Sequence, residues 1–322
     1  MAKYVLKRLL LLVLTCFIIM TICFVLVKLL PNPAVASNEA EKKQIEALHE
    51  AWGYNEPIMT QYGIFLKNVF TEWDWGFCTT VGTKFTDVTT YIGEKLPATI
   101  SVNLYSIVFS IPLGILFGIY AALKKNKWQD QIINVVVMIF ISVPSYVYAF
   151  LVQYFLGFKL HWFPLIINSG TDYFTFDMFR SMVLPILALS FGTIAGLMRF
   201  TRAELTETLT SDYMLLARTK GLTKTQATIR HALRNAFVPI LPMIIGEFVA
   251  ILSGSLIIEK IFAIPGVGSV YVASIANRDY NVFMAVSMFY IVIDLVAGIV
   301  TDLSYGFIDP RIRMGGGKTN EY

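Results

Sequence analysis

The chain holds 322 residues, of which 56% are hydrophobic and 15% charged, against roughly 45–50% and about 25% in an ordinary soluble domain; a water-soluble globule is excluded. Its formal charge of +4 is small, and the basic residues form no groove interleaved with aromatics, which argues against a nucleic-acid partner. Cys16, Cys23 and Cys78 lack metal-ligand spacing and any disulfide framework, and read as two buried hydrophobes and one loop thiol.

A bilayer core of about 30 Å is crossed by roughly 20 apolar residues in a helix. Six stretches meet that length, near residues 9–30, 98–123, 132–158, 182–200, 236–258 and 282–305. The expected fold class is therefore all-α integral membrane, with about six transmembrane helices. Lys3, Lys7 and Arg8 precede the first stretch and Ala34-Val35-Ala36 looks like a cleavage site. The apolar run over 9–27 nevertheless exceeds the roughly 7–15 residues of a signal-peptide core, so a retained helix is expected over 1–30.

Residues 31–97 follow as an insert. Glu39, Glu41, Glu46 and Glu50 stand against Ile45, Leu48 and Trp52, and Trp73, Trp75 and Phe77 come later. A linker would not expose tryptophans to water, so a small folded cap is expected, with a core over 98–305 and a cytoplasmic tail over 306–322 that is disordered after Pro310. Basic residues gather before the first helix, at Lys124, Lys125 and Lys127, through the loop 201–235, and at Arg311 and Arg313. The bias of Lys and Arg toward the cytoplasm then puts both termini inside and the insert, with Cys78, outside. Pro112, Pro144, Pro185, Pro239 and Pro242 are candidate kinks.

The loop 201–235 is the most informative segment. Asp212 or Ser211 can cap a short helix bearing Tyr213, Leu216, Ala217 and Lys220, which Gly221 ends in the left-handed conformation. Thr223-Lys224-Thr225-Gln226 is a capping box opening a second helix with Ile229, Ala232, Leu233 and Ala236 on one side. On pattern alone this basic, amphipathic loop fits a segment lying against lipid headgroups equally well.

The run Asp212-Tyr213-Met214-Leu215-Leu216-Ala217-Arg218-Thr219-Lys220-Gly221-Leu222, followed by Arg230-His231-Ala232-Leu233-Arg234-Asn235-Ala236 and Pro239, resembles the signature loop of ABC importer permeases in its dipeptide and oligopeptide form. The broader permease motif begins Glu-Ala-Ala; here Leu215-Leu216-Ala217 stands in its place, and only Ala217 and Gly221 match. Glu259-Lys260-Ile261-Phe262-Ala263-Ile264-Pro265-Gly266-Val267-Gly268, Asn277-Arg278-Asp279-Tyr280, Asp309-Pro310-Arg311-Ile312-Arg313 and Leu96-Pro97-Ala98-Thr99 are similar to other segments of that family.

The resemblance implies a type I permease core of five helices preceded by an N-terminal helix and an extracytoplasmic insert, in the cytoplasmic membrane of a bacterium or archaeon. It implies a second homologous permease, two ATPase subunits that carry ATP and Mg, and an extracytoplasmic peptide-binding protein. No cofactor on this chain and no enzymatic activity of its own are expected. Asp212, Tyr213, Ala217, Arg218, Lys220, Gly221, Leu222, Arg230 and His231 would form the coupling element, with Ala217 expected on the docking face. Glu247 and Asp294 fall within apolar helices, where a lipid-facing acid costs about 2.5–3.5 kcal/mol on insertion scales. They are candidates for the pathway or for contacts with neighbouring helices.

Catalytic readings lack support. Gly317-Lys318-Thr319 mimics the end of a P-loop, but the required earlier glycine falls at Ile312. His49, His161 and His231 lie in separate loops as surface residues, with no His-Glu-x-x-His pair. A stand-alone secondary transporter would require an ion-coupling site where only two separate acids stand. Nickel, glutathione or a glycoside remain alternative cargoes, because selection lies largely in the binding protein.

Overall fold

The computed structural model describes residues 2–30 and 38–308; the motif at 34–36 and the tail from 309 onward lie outside them. Helix α1 (Ala2–Lys28) carries the first apolar run and buries Met20, Phe24 and Val27 toward the insert. There α2 (Glu39–Ala51) opens on Asn38, whose side chain accepts the Glu41 amide at 2.7 Å, and its first-turn acids suit the positive helix end. After Pro57, α3 (Ile58–Lys67) runs through a π-helical turn to Trp73, where φ is +56°. Phe65, Val69, Trp75 and Cys78 are buried together with Met20 and Phe24 of α1 and with Val282, Met284 and Met288 further along the chain. The insert is thus a folded cap seated on the helix bundle, as its tryptophans require.

The remaining helices are α4 (Val88–Leu123), α5 (Trp128–Ser142), α6 (Ser145–Val152), α7 (Phe176–Leu209), α8 (Asp212–Thr219), α9 (Lys224–Ala227), α10 (Leu233–Val249), α11 (Leu256–Ile261), α12 (Val267–Ala276) and α13 (Tyr280–Ile308). Among the described residues five helices are long and apolar enough to cross a membrane, and the count is six with the bent pair Trp128–Ser142 and Ser145–Lys159 taken as one span. At the centre α4 lies against α7. A Cβ on Gly118 would stand 2.6 Å from the Thr201 Cβ and one on Gly114 2.8 Å from the Leu197 Cβ. Small residues that let two backbones approach are the usual substitute for a hydrophobic driving force in lipid, and the Ser106 and Ser190 hydroxyls pair at 3.1 Å across the same contact.

Helix α7 runs past both ends of the expected 182–200, and three other spans depart from expectation. Helix α4 begins ten residues before the expected 98, because Asp87 caps it by accepting the Thr90 amide at 2.8 Å. The expected helix over 132–158 is instead broken at Val143 and Pro144 and bent by 104°; the residue before a proline is pushed to extended backbone, here φ −96° and ψ 129°. Tyr148 donates to the Ile139 carbonyl at 2.8 Å across that break. The expected span over 236–258 ends early, in a 3₁₀ turn at Ala250–Ser253 followed by Gly254 at φ +59° and ψ −177°, a region open essentially to glycine alone.

Consecutive spans alternate in direction, so the chain has two end faces. One carries the insert, the 160–175 connection and α11–α12, joined where the Ile167 amide donates to the Phe262 carbonyl at 3.0 Å. The other carries the 124–127 turn, α8, α9 and the Arg8–Asp302 ion pair at 2.7 Å between α1 and α13.

Candidate functional site

The loop between α7 and α10 is built as its sequence dictates. Helix α8 ends in a Schellman motif: the Leu222 amide donates to the Ala217 carbonyl at 3.2 Å and the Gly221 amide to the Arg218 carbonyl at 3.0 Å. Gly221 takes φ +89° there. The capping box at α9 is complete, with the Gln226 amide donating to Thr223 Oγ1 at 3.3 Å and the Thr223 amide to Gln226 Oε1 at 3.1 Å. Ser211 holds the cap position of α8, but its hydroxyl turns back to donate to the Thr208 carbonyl at 2.6 Å.

Met214, Ala217, Ala227, Ala232 and Ala236 pack inward against Ala122 of α4 and Leu205 of α7. Ala217 is therefore not on the exposed face, contrary to expectation; it is the small residue that lets α8 lie flat on the bundle. What α8 and the following turn leave open is Tyr213, Leu215, Leu216 and Ile229, the last three more than half exposed. Ile229 parts company with Ala232 and Ala236 because residues Thr228–Ala232 are π-helical, which shifts the helical register by one residue. Asp212, Arg218, Lys220, Arg230 and His231 are exposed around this apolar patch, and Leu222 is half-buried beneath it.

A buried ion pair, not anticipated from sequence, braces the loop. Arg202 Nε and Nη2 donate to the two oxygens of Asp130 at 2.6 and 2.7 Å, and the Asn126 amide adds a bond at 3.0 Å. Its partners lie 72 residues apart, and the sole local signal is an acid opening an apolar helix. The bidentate fork locks the start of α5 to α7 just before the loop begins.

At the opposite face two buried carboxylates organise the motifs singled out in the sequence. Glu259 accepts from the Thr99 hydroxyl at 2.9 Å and the Ser269 amide at 3.0 Å, while Thr99 Oγ1 accepts the Val267 amide at 2.9 Å. A Cβ on Gly254, Gly266 or Gly268 would stand 2.6, 2.5 or 2.9 Å from a Glu259 oxygen, so the glycines exist to admit the carboxyl. Burial pushes that carboxyl up, against the hydrogen bonds from Ser269 and Thr99. Asp279 accepts the successive amides of Thr79, Thr80 and Val81 at 2.7, 2.8 and 3.0 Å. It thereby fastens the insert to the start of α13, helped by Asn281 Nδ2 donating to the Phe77 carbonyl at 3.0 Å. Beside it the loop thiol of Cys78 is fully buried, and burial followed by the Asp279 and Asp87 charges pushes it up to about 12. Nor is His49 a plain surface residue: its ring stacks on Tyr54 at 4.5 Å, and burial, then Lys28, lowers its pKa.

The two intramembrane acids are not brought together. Asp294 is exposed and accepts from the Ser253 hydroxyl at 3.4 Å, whereas Glu247 is half-buried on α10. Ser253 marks the level of Asp294, and Glu247 lies six residues away along the helix, about 9 Å at 1.5 Å per residue.

The sequence profile described as "Binding-protein-dependent transport system inner membrane component" matches residues 114–314, and a companion profile for the N-terminal part of such membrane components matches residues 1–103. The dipeptide transport system permease protein DppB of Lactococcus lactis is 38% identical over 318 residues, 98% of this chain and 100% of that protein. The oligopeptide transport system permease protein OppB of Haemophilus influenzae is 31% identical, covering 97% of this chain and 100% of that one. A crystal structure of an amino acid ABC transporter with histidines superposes with a TM-score of 0.50 at 19% identity, covering 68% of this chain and 94% of that chain.

Proposed function

Since this chain belongs to the family of binding-protein-dependent transport system inner membrane components, we propose that it works as the first of two permease subunits in an ATP-driven importer of dipeptides or oligopeptides. The chain is a multi-pass membrane protein and a permease, not the subunit that hydrolyses ATP. The peptide cargo rests on 38% identity across 98% of the chain to a dipeptide permease. The second permease, two ATPase subunits with their ATP and Mg, and an extracytoplasmic peptide-binding protein complete the assembly in a bacterial or archaeal cytoplasmic membrane. Residues 1–30, 31–97, 98–305 and 306–322 serve as N-terminal helix, extracytoplasmic insert, permease core and cytoplasmic tail.

In this reading the face with the 124–127 turn and the loop 201–235 is cytoplasmic, supported by the concentration of Lys and Arg there. The ATPase docks on α8 and the turn after it. Tyr213, Leu215, Leu216 and Ile229 fill its cleft, and Asp212, Arg218, Lys220, Arg230 and His231 form a polar rim. Ala217, Gly221 and Leu222 act beneath, fixing the angle at which α8 is presented. ATP-driven closure moves this patch, and the switch between outward and inward access requires the ATPase to bind the two forms with different free energies. Glu247 and Asp294 are assigned to the pathway between the permeases.

Leu216→Asp places a charge at the centre of the apolar patch. The loss of a buried anchor there costs about 2 kcal/mol or more. The membrane level of the permease should hold while the ATPase subunits no longer co-purify and peptide uptake by the reconstituted complex ceases. Retention of both would leave the loop without a coupling role. Uptake of a glycoside or nickel, but of no peptide, by the wild-type complex would reassign the cargo.

A further inference from the structure

We infer that Asp294, at the break in the fifth span, is a cation subsite that receives the ammonium or guanidinium group of a peptide in transit; this deepens the importer reading and rests on it. Asp294 stands near the middle of the span Tyr280–Gly306 and is exposed. A carboxylate at that depth does not face lipid, because the cost of several kcal/mol is met only by a polar cavity or a counter-charge. The described residues supply no counter-charge: α13 holds no Lys or Arg, α10 holds only Arg234 at its far end, and neither Asp294 nor Glu247 enters an ion pair among them. The complement comes from outside the chain.

Local architecture selects a cation that comes and goes. At this depth the fifth span stops being a helix, and the last-turn carbonyls of a helix carry a partial negative charge. The break is fixed rather than incidental. Gly254 adopts φ +59° and ψ −177°, a Cβ there would strike Glu259 Oε1 at 2.6 Å, and Asn103 of α4 donates to the Ile251 carbonyl at 2.9 Å. Ser253 then offers its hydroxyl to Asp294 at 3.4 Å, a long bond that leaves the carboxylate's other lone pairs open. A carboxylate, a hydroxyl and a helix end with negative polarity together form a cation site, as broken helices in membrane transporters do. Glu247, about 9 Å further along the axis, provides a second rung toward the opposite face.

The full complex, with its binding protein and ATPases, is reconstituted in liposomes, and uptake is measured for two matched pairs of peptides. One pair exchanges lysine for norleucine and the other free for acetylated amino terminus. Asp294→Asn should lower the preference for the cationic member of at least one pair by about tenfold, the usual worth of a charge-assisted hydrogen bond, and Asp294→Glu should restore it. Equal reduction of the cationic and the neutral member, or no change, in both pairs overturns the subsite. Loss of the second permease from purified Asp294→Asn complex also overturns it, because Asp294 then pairs with a basic residue of that subunit. Failure of the wild-type complex to import any of these peptides would instead bring down the importer reading, and the subsite with it.

Discussion

Asp279 and Cys78 illustrate how much one side chain can hold. Three consecutive amides of the insert end on a single Asp279 oxygen, and a hydrogen bond to a charged group contributes about 1.5–3 kcal/mol. Asp279→Ala should release the 79–81 segment while the core helices stay folded, seen as faster proteolysis confined to residues 38–87. The thiol reports the same event. The thiolate is the reactive form, and with Cys78 pushed up to about 12 only roughly one part in ten thousand is ionised at pH 8. An impermeant maleimide should leave Cys78 unmodified in the native protein at pH 8 and modify it in Asp279→Ala; labelling of the native protein would contradict its burial. The sequence pointed to Asp279 through the run Asn277-Arg278-Asp279-Tyr280, but nothing near it indicated that its partners lie 198 to 200 residues earlier.

Among the elements, those governed by neighbours in sequence were legible and those governed by packing were not. The Thr223–Gln226 capping box and the glycine stop at Gly221 are local hydrogen-bond patterns, so four residues suffice to read them. The break at Val143 and Pro144 is flanked only by Ser142 and Ser145, small residues that a membrane helix also accommodates, and Pro112, Pro185, Pro239 and Pro242 lie inside continuous helices, so proline alone did not discriminate. Ala217 is buried against Ala122 and Leu205, which helical spacing does not reveal, because spacing identifies a face but not what covers it. Gly221 offers a clean test, since a Cβ there meets nothing within 4 Å. The cost of Gly221→Val is then conformational, about 1–2 kcal/mol, and acts by tilting α9. Gly221→Asn, which tolerates the left-handed region better, should retain more ATPase than Gly221→Val on co-purification; equal retention would show that the turn does not set the angle of α8.

For the molecule as a whole, composition and charge gave the number of spans and their alternation, because both follow from solvent partition rather than from tertiary contacts. Orientation can be read directly. On a background lacking the native cysteines, Lys43→Cys on exposed α2 should react with an impermeant reagent in intact cells, and Lys220→Cys after α8 only once the membrane is opened; the reverse order would invert the topology. The ion pair Asp130–Arg202 and the seating of the insert stayed out of reach of the sequence, since each joins segments that meet only after the bundle has closed.

Helix α13 is clamped at both ends. Asp279 binds its start to the insert, and Asp302 near its end binds Arg8 of α1 at 2.7 Å. A rod of 29 residues, about 44 Å long at 1.5 Å per residue, cannot pivot at one end without carrying the cap and the first helix along. In mechanical terms α1, the cap and α13 form one clamped frame, and Val88 and Ile92 at the start of α4 are buried in the same cluster, so a displacement of any of these elements is transmitted to the others.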